Sequence, residues 1–296
     1  MSDRLATEIA ALAREIDSRF DLLLTPPDDS RRPLYEAMRH AAIGGGKRLR
    51  PLLVSASARL FAVDPECALR VGLAIEAIHV YSLVHDDLPA MDDDDMRRGK
   101  PTVHKAFDEA TAILVGDGLQ ALAFEIIGSE ATHPDPFVRC ELITALAAAS
   151  GPAGMVGGQA MDMAAPALDQ NLGVVTRLQQ LKTGALIGFA VEAGAILGRV
   201  PQEGRTRLRN YAHDLGLAFQ IADDLLDVEG DAAATGKAVG KDEAAGKATF
   251  VSLLGVDRAR AQAALLSEQA IAHLSAFGAE ADLLRDIAAY TVRRDR

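Results

Sequence analysis

Residues 71–95 read VGLAIEAIHVYSLVHDDLPAMDDDD, and the reading of this stretch decides the fold. Positions 71–85 are largely apolar and long enough for a helix in a protein core. The next ten hold Asp86, Asp87, Asp92, Asp93, Asp94 and Asp95. Like charges 4 Å apart repel by about 4 kcal/mol at an effective dielectric constant of 20. Folding gathers them at the end of a buried helix when something cationic binds there; the plain alternative is a solvated acidic loop. Pro89 biases Leu88 away from helical angles and marks the helix end.

The rest of the chain favours an all-α protein. Of 296 residues, 49% are apolar and only 4% aromatic, with no Trp. Ala and Leu dominate, and alternating β-branched runs are scarce, which favours helices. Leu5, Ile9, Leu12, Ile16 and Phe20 form one helical face. Helices are also expected from Leu34 to the Gly44-Gly45-Gly46 turn, from about Pro51 to Phe61, over 110–128, 137–150, 172–198 and 205–229, with two or more closing the chain. The 172–198 helix is expected to bend near Gly184. No linker or short repeat divides residues 1–296, so one all-α domain is expected.

The net charge of −11 disfavours nucleic acid and anionic membranes as partners. Cys67 and Cys140 stand alone, which excludes a zinc cluster and fits a reducing compartment. No uninterrupted apolar run reaches about 18 residues, and the N-terminal segment carries Asp3, Glu8, Glu15 and Asp17, unlike a leader. A soluble cytoplasmic protein is expected.

A second acidic stretch, FQIADDLLDVEGD (219–231), gives the first its meaning. Asp223 and Asp227 are four apart and share a helical face with Phe219 and Gln220, while Asp224 lies about 100° round the helix. Two such motifs facing each other across a bundle would hold two or three divalent ions. The candidate ligands are all carboxylates, which points to Mg²⁺, with Mn²⁺ as substitute, and hence to a diphosphate that completes the metal shell. Cationic residues sit nearby. Lys47, Arg48 and Arg50 follow a glycine turn at a helix entrance, an arrangement that suits a phosphate. Arg97 and Arg98 follow the first motif. Lys182 and Thr183 interrupt an apolar helix, and Lys237, Lys241 and Lys247 lie in a glycine-rich loop after the second motif. Gln159 and Asp162 are three apart on a short helix after a glycine-rich turn.

These residues carry a resemblance. GGGKRLRP, IHVYSLVHDDLPAMDDDDMRRGKPTVH, GGQAMDM, LKTGALI, GLAFQIADDLLDVEGD, TGK and KATF occur in the order seen in the short-chain trans-isoprenyl diphosphate synthases, and are most similar to the bacterial farnesyl diphosphate synthases. The resemblance implies a helical bundle around a central cavity, a homodimer, three Mg²⁺ per site, and isopentenyl and allylic diphosphates as substrates. It implies that Asp86, Asp92 and Asp223 are the principal metal ligands, with Asp87 and Asp227 beside them. Arg97, Lys182 and Lys237 would hold the allylic diphosphate, with Thr183, Phe219 and Gln220 nearby and Lys247 in a cationic lid. Lys47, Arg50, His79 and Arg98 would hold isopentenyl diphosphate. Tyr81, five residues before Asp86 and about 7.5 Å down the helix, and the small Ser82 would set product length. A bulky residue at that fifth position, with the extra Pro89-Ala90, goes with a fifteen-carbon product.

Geranylgeranyl- or geranyl-forming chemistry of the same kind stays open. So does a metal-dependent diphosphate hydrolase, because His85-Asp86 and His213-Asp214 are both His-Asp pairs. A non-catalytic helical partner subunit is the third class.

Overall fold

The computed structural model describes residues 1–165, 171–229 and 247–293. Helices start where the sequence supplies caps. Ser2 caps α1 (Asp3–Leu23), Asp64 followed by Pro65 opens α4 (Pro65–Asp86), Asp108 caps α6 (Glu109–Gly128), and Asp135 with Pro136 opens α7 (Pro136–Ser150). In each case a side-chain oxygen accepts a first-turn amide that the helix leaves unpaired. Between them lie α2 (Arg32–Ala42), α3 (Leu49–Arg59) and the short α5 (Val103–Ala106). The second half holds α8 (Met155–Ala164), α9 (Leu172–Gln179), α10 (Ala185–Leu197), α11 (Thr206–Glu229), α12 (Phe250–Leu254), α13 (Val256–His273) and α14 (Asp282–Thr291).

The centre is α4. Every residue from Val71 to Ile78 is buried, Glu76 included, as expected of a helix that is apolar all round. It packs along α6 and α3, and α10 closes against α3. Gly194 permits that approach: a Cβ there would lie 2.4 Å from the Ser57 backbone. A second core joins α11 to α13 through Ala218, Ile221, Leu225, Ala259 and Ala263.

The 172–198 helix runs from Leu172 to Leu197, and the irregularity expected near Gly184 is a π-helical turn, Gln180–Gly184, between α9 and α10. Two features depart from the sequence reading. Residues after the first acidic stretch form a two-stranded hairpin, β1 (Met96–Arg97) with β2 (Lys100–Pro101), paired antiparallel. And 65–86, 109–128, 136–164 and 172–197 are long and apolar enough to cross a membrane by length and composition, because scattered charges interrupt the runs without lowering mean hydropathy much. In the bundle α4 spends that apolarity on the core.

Candidate active site

The first acidic stretch folds back onto the end of α4. Asp86 is the last residue of the helix. The Asp92 amide donates to the Asp86 carbonyl at 2.8 Å, and the Asp94 amide to the Asp87 carbonyl at 3.2 Å. Carboxylates are thus gathered at a helix C-terminus, the end that already carries partial negative charge. Burial pushes the Asp86 carboxyl up to about 6; Asp92 and Asp87 add to the rise, while Lys182 and Arg97 oppose it. The end of α4 has too much negative charge for its surroundings, and a divalent cation fits that deficit.

Asp87 points elsewhere. It is buried, and Arg97 Nε lies 2.8 and 2.9 Å from its two carboxylate oxygens. Burial works against the charged guanidinium, yet Asp87 outweighs it and raises the Arg97 pKa. The hairpin makes this possible: Arg98 and Gly99 both have positive φ (53° and 75°), the type I′ geometry that suits a two-residue turn. It turns Arg97 in toward Asp87, and Arg98 out toward Gly45, whose carbonyl its Nη1 reaches at 3.1 Å.

Under Arg98 lies the glycine turn. Gly46 has φ of +83°, which favours glycine, and the Arg98 guanidinium takes the space a side chain there would enter, its carbon 2.6 Å from the Cβ position. Of the three cations after the turn, Arg48 is a correction. It is buried in a left-handed conformation (φ 49°), pairing with Glu76 at 2.7 Å and with Asp17, and donating to the Ala42 carbonyl at 2.6 Å. Buried among these partners, it holds the turn. Arg50 differs: its Nε is buried with no partner among the described residues. Burial lowers its pKa, against the pull of Glu76 and Asp223. His79 faces the same cations. Burial, and then Arg50, Arg98, Arg97 and Arg48, push it well below its ordinary value, so the imidazole is neutral. Lys47 is exposed, with its ammonium 5.8 Å from the centroid of the Tyr290 ring.

The second half of the site is built on α8, the π-turn and α11. Gly158 brings α8 against the turn; a Cβ there would be 2.2 Å from the Lys182 amide nitrogen. Lys182 Nζ donates to Asp162 Oδ2 at 2.8 Å, and Lys247 Nζ to the same oxygen at 2.7 Å. Burial would raise the Asp162 carboxyl, but the two ammoniums hold it below its ordinary value. Thr183 Oγ1 donates to Gln220 Oε1 at 3.3 Å, and Gln220 Nε2 to Asp224 Oδ1 at 3.1 Å. Asp224 is buried and also accepts the Phe250 amide at 2.8 Å. It fastens α12 to α11, in keeping with its position off the Asp223–Asp227 face. Asp223 and Asp227 are half-buried, as is Phe219, which packs against the core. Lys237 lies outside the described residues.

Two electrostatic couplings join the halves. Lys182 acts on Asp86, and Asp223 acts on Arg50. Residues from the two ends of the sequence therefore share one polar site. The family model for polyprenyl synthetase matches residues 31–283. The chain belongs to the polyprenyl synthetase family. Its enzyme class is trans-prenyltransferase, as the relatives agree. It is 42% identical to a farnesyl diphosphate synthase of Escherichia coli K12 over 98% of both chains, and 46% identical to that of Geobacillus stearothermophilus over 81% of this chain and 82% of the other. Among solved structures, an FPP/GFPP synthase from Zymomonas mobilis superposes with a TM-score of 0.91 at 61% identity, covering 99% of this chain and 100% of that one.

Members of this family use a divalent metal at their aspartate-rich site. The residues present in this prenyltransferase fit one: oxygen donors at a helix C-terminus, one of them held near 6 by its own burial and neighbours. A different group, Asp93, Asp95 and His104, also brings its ligand atoms within 4.8 Å of one another, although Asp95 is already paired with Lys105 at 2.9 Å.

The His-Asp pairs that suggested hydrolysis are otherwise engaged. His85 Nε2 lies 3.1 Å from the Ile113 carbonyl, and His213 sits between Gln180 and Asp214, which also meets His273. Tyr81 is buried with Gln120 beside its hydroxyl, and its ring meets His85 edge-on at 5.8 Å. Ser82 Oγ bonds the His79 carbonyl at 2.9 Å. The sequence reading gave Asp162 no role; its spacing from Gln159 was the signal.

Proposed function

We propose that this enzyme condenses isopentenyl diphosphate with dimethylallyl and then geranyl diphosphate, releasing farnesyl diphosphate. The observation that supports it best is the cationic pocket of Arg50, His79 and Arg98 beside the acidic end of α4, with a buried Arg50 Nε, unpartnered among the described residues, that an anion would satisfy. A neutral imidazole and a desolvated guanidinium suit a substrate phosphate more than a carboxylate of the protein.

In this reading Asp86, Asp92 and Asp223, with Asp227, hold Mg²⁺, three ions per site, and Mn²⁺ can replace it. The metal supplies Lewis-acid stabilisation of the departing diphosphate. Lys182, Lys247 and Lys237 neutralise that diphosphate, and Arg97, held by Asp87, adds to the field. Lys47, Arg50, His79 and Arg98 fix isopentenyl diphosphate so that its double bond meets the allylic carbon as the carbon–oxygen bond breaks. The proton then lost goes to the diphosphate. No protein nucleophile is needed; orientation, fixed charge and exclusion of water carry the rate. Asp87 acts through Arg97 in this scheme rather than as a ligand. The chain works as a homodimer, soluble in the cytoplasm.

The buried Tyr81, five residues before Asp86 on α4, supports the fifteen-carbon product over a longer one. Incubation of the protein with dimethylallyl and isopentenyl diphosphates and Mg²⁺, followed by chromatographic sizing, tests the whole reading. Farnesyl diphosphate is expected; free isoprenol without chain extension would sink it.

A further inference from the structure

Lys182 and Lys247 come from distant parts of the chain, yet both donate to one oxygen, Asp162 Oδ2, at 2.8 and 2.7 Å. The two ammoniums are therefore within about 5.5 Å of each other. Like charges so close separate unless an anion lies between them. Asp162 is that anion. It is 8% exposed, and it stands one turn after Gly158 on the same face of α8. Gly158 is the residue whose missing side chain lets α8 touch the Lys182 backbone. The contact is thus fixed by backbone packing on the Lys182 side.

On the other side a second path returns to the same point. Thr183 bonds Gln220, Gln220 bonds Asp224, and Asp224 accepts the amide of Phe250, three residues after Lys247. Asp162, the π-turn, α11 and the start of α12 form a closed circuit. Asp223 lies on the stretch of α11 between Gln220 and Asp224. Asp162 is where the circuit closes. One turn-face neighbour, Gln159, has both amide atoms buried with no partner among the described residues.

We propose that Asp162 is a positioning residue that holds Lys182 and Lys247 together as a paired cationic grip for the allylic diphosphate. An arriving diphosphate meets a grip already assembled and does not have to gather two flexible side chains. The proposal rests on the reading of this site as a diphosphate site. It concerns one of the two substrates, because the cations assigned to isopentenyl diphosphate are not part of the circuit.

The test is substrate-resolved kinetics on the full chain with Asp162→Asn, which keeps the shape and removes the charge. The KM for geranyl diphosphate is expected to rise tenfold or more while the KM for isopentenyl diphosphate stays within twofold. Calorimetric affinity for inorganic diphosphate with Mg²⁺ should fall by a similar factor. Asp162→Glu, which restores the charge, should return the allylic KM to within threefold of wild type. Asp162→Ser reads the same split should the Asn variant fail to fold. Equal changes in both KM values, or none in either, would overturn the proposal. Absence of condensation by the wild-type chain would instead overturn the underlying reading, so the two failures are distinct.

Discussion

The Arg97 guanidinium closes on the Asp87 carboxylate, Nε within 2.9 Å of both oxygens and Nη2 at 2.6 Å from one. The Asp87 side chain is 3% exposed and that of Arg97 17%. Removing one partner of a buried pair costs about 3–5 kcal/mol when the other charge is left stranded; here Asp94 Oδ2 remains 3.7 Å from Arg97 Nη2, which brings the cost down to about 2 kcal/mol. Asp87→Ala should therefore lower the free energy of unfolding by about that much, measured by urea denaturation. A loss under about 1 kcal/mol would mean that solvent screens the pair.

Asp86 behaves in the opposite sense. Its folded-state pKa of about 6 lies above the ordinary 3.8. Below pH 4 folded and unfolded chains both hold the proton, and the group is neutral in the balance. Between pH 4 and 6 the unfolded chain releases it first. Above pH 6 the metal-free fold carries a half-buried carboxylate at a cost of about 2–3 kcal/mol. Metal-free Asp86→Asn should then be more stable than wild type at pH 7.5, with the advantage gone at pH 4, although its turnover is abolished. Melts in a chelator at both pH values decide this; an advantage independent of pH would contradict the assignment of the shift.

Tyr81 is buried at the fifth position before Asp86. Tyr81→Ala removes its ring about 7.5 Å below the acidic end of α4. The product should lengthen to about twenty carbons or more, read by chromatography of the dephosphorylated alcohols. An unchanged fifteen-carbon product would mean that the stop lies elsewhere.

Gly158→Ala places a methyl group 2.2 Å from the Lys182 amide nitrogen. The π-turn must move away. A displacement of about 1 Å at a positioning residue costs about 100-fold in rate, so kcat/KM should fall by that order while circular dichroism stays helical. Wild-type kinetics would show that the turn yields without moving Lys182.

Much of this was legible in the sequence because charge and apolarity are so sharply separated in it. A run such as 71–85 belongs in a core, and six aspartates at its end gather only where their charge is compensated, as Arg97 does for the buried Asp87, so the end of α4 is marked by composition. The expected helices 110–128 and 137–150 match α6 and α7 to within one residue. The π-turn was not legible: Gln180–Gly184 differs from an α-helical turn by one hydrogen-bond step, and Gly158, which packs against it, is distant in sequence. Arg48 was misjudged for a similar reason. It looks like its neighbours Lys47 and Arg50, and only the fold brings Glu76 and Asp17 to it. Asp162 needed both of its lysines in place before its spacing from Gln159 meant anything.

The account turns on Asp86 and Asp223 serving one bound diphosphate. A double-mutant cycle tests this directly: calorimetric titration of inorganic diphosphate with Mg²⁺ into wild type, Asp86→Asn, Asp223→Asn and the double variant. Shared duty predicts that the double variant loses little more affinity than either single variant, a coupling of about 1 kcal/mol or more. Losses that simply add would contradict it.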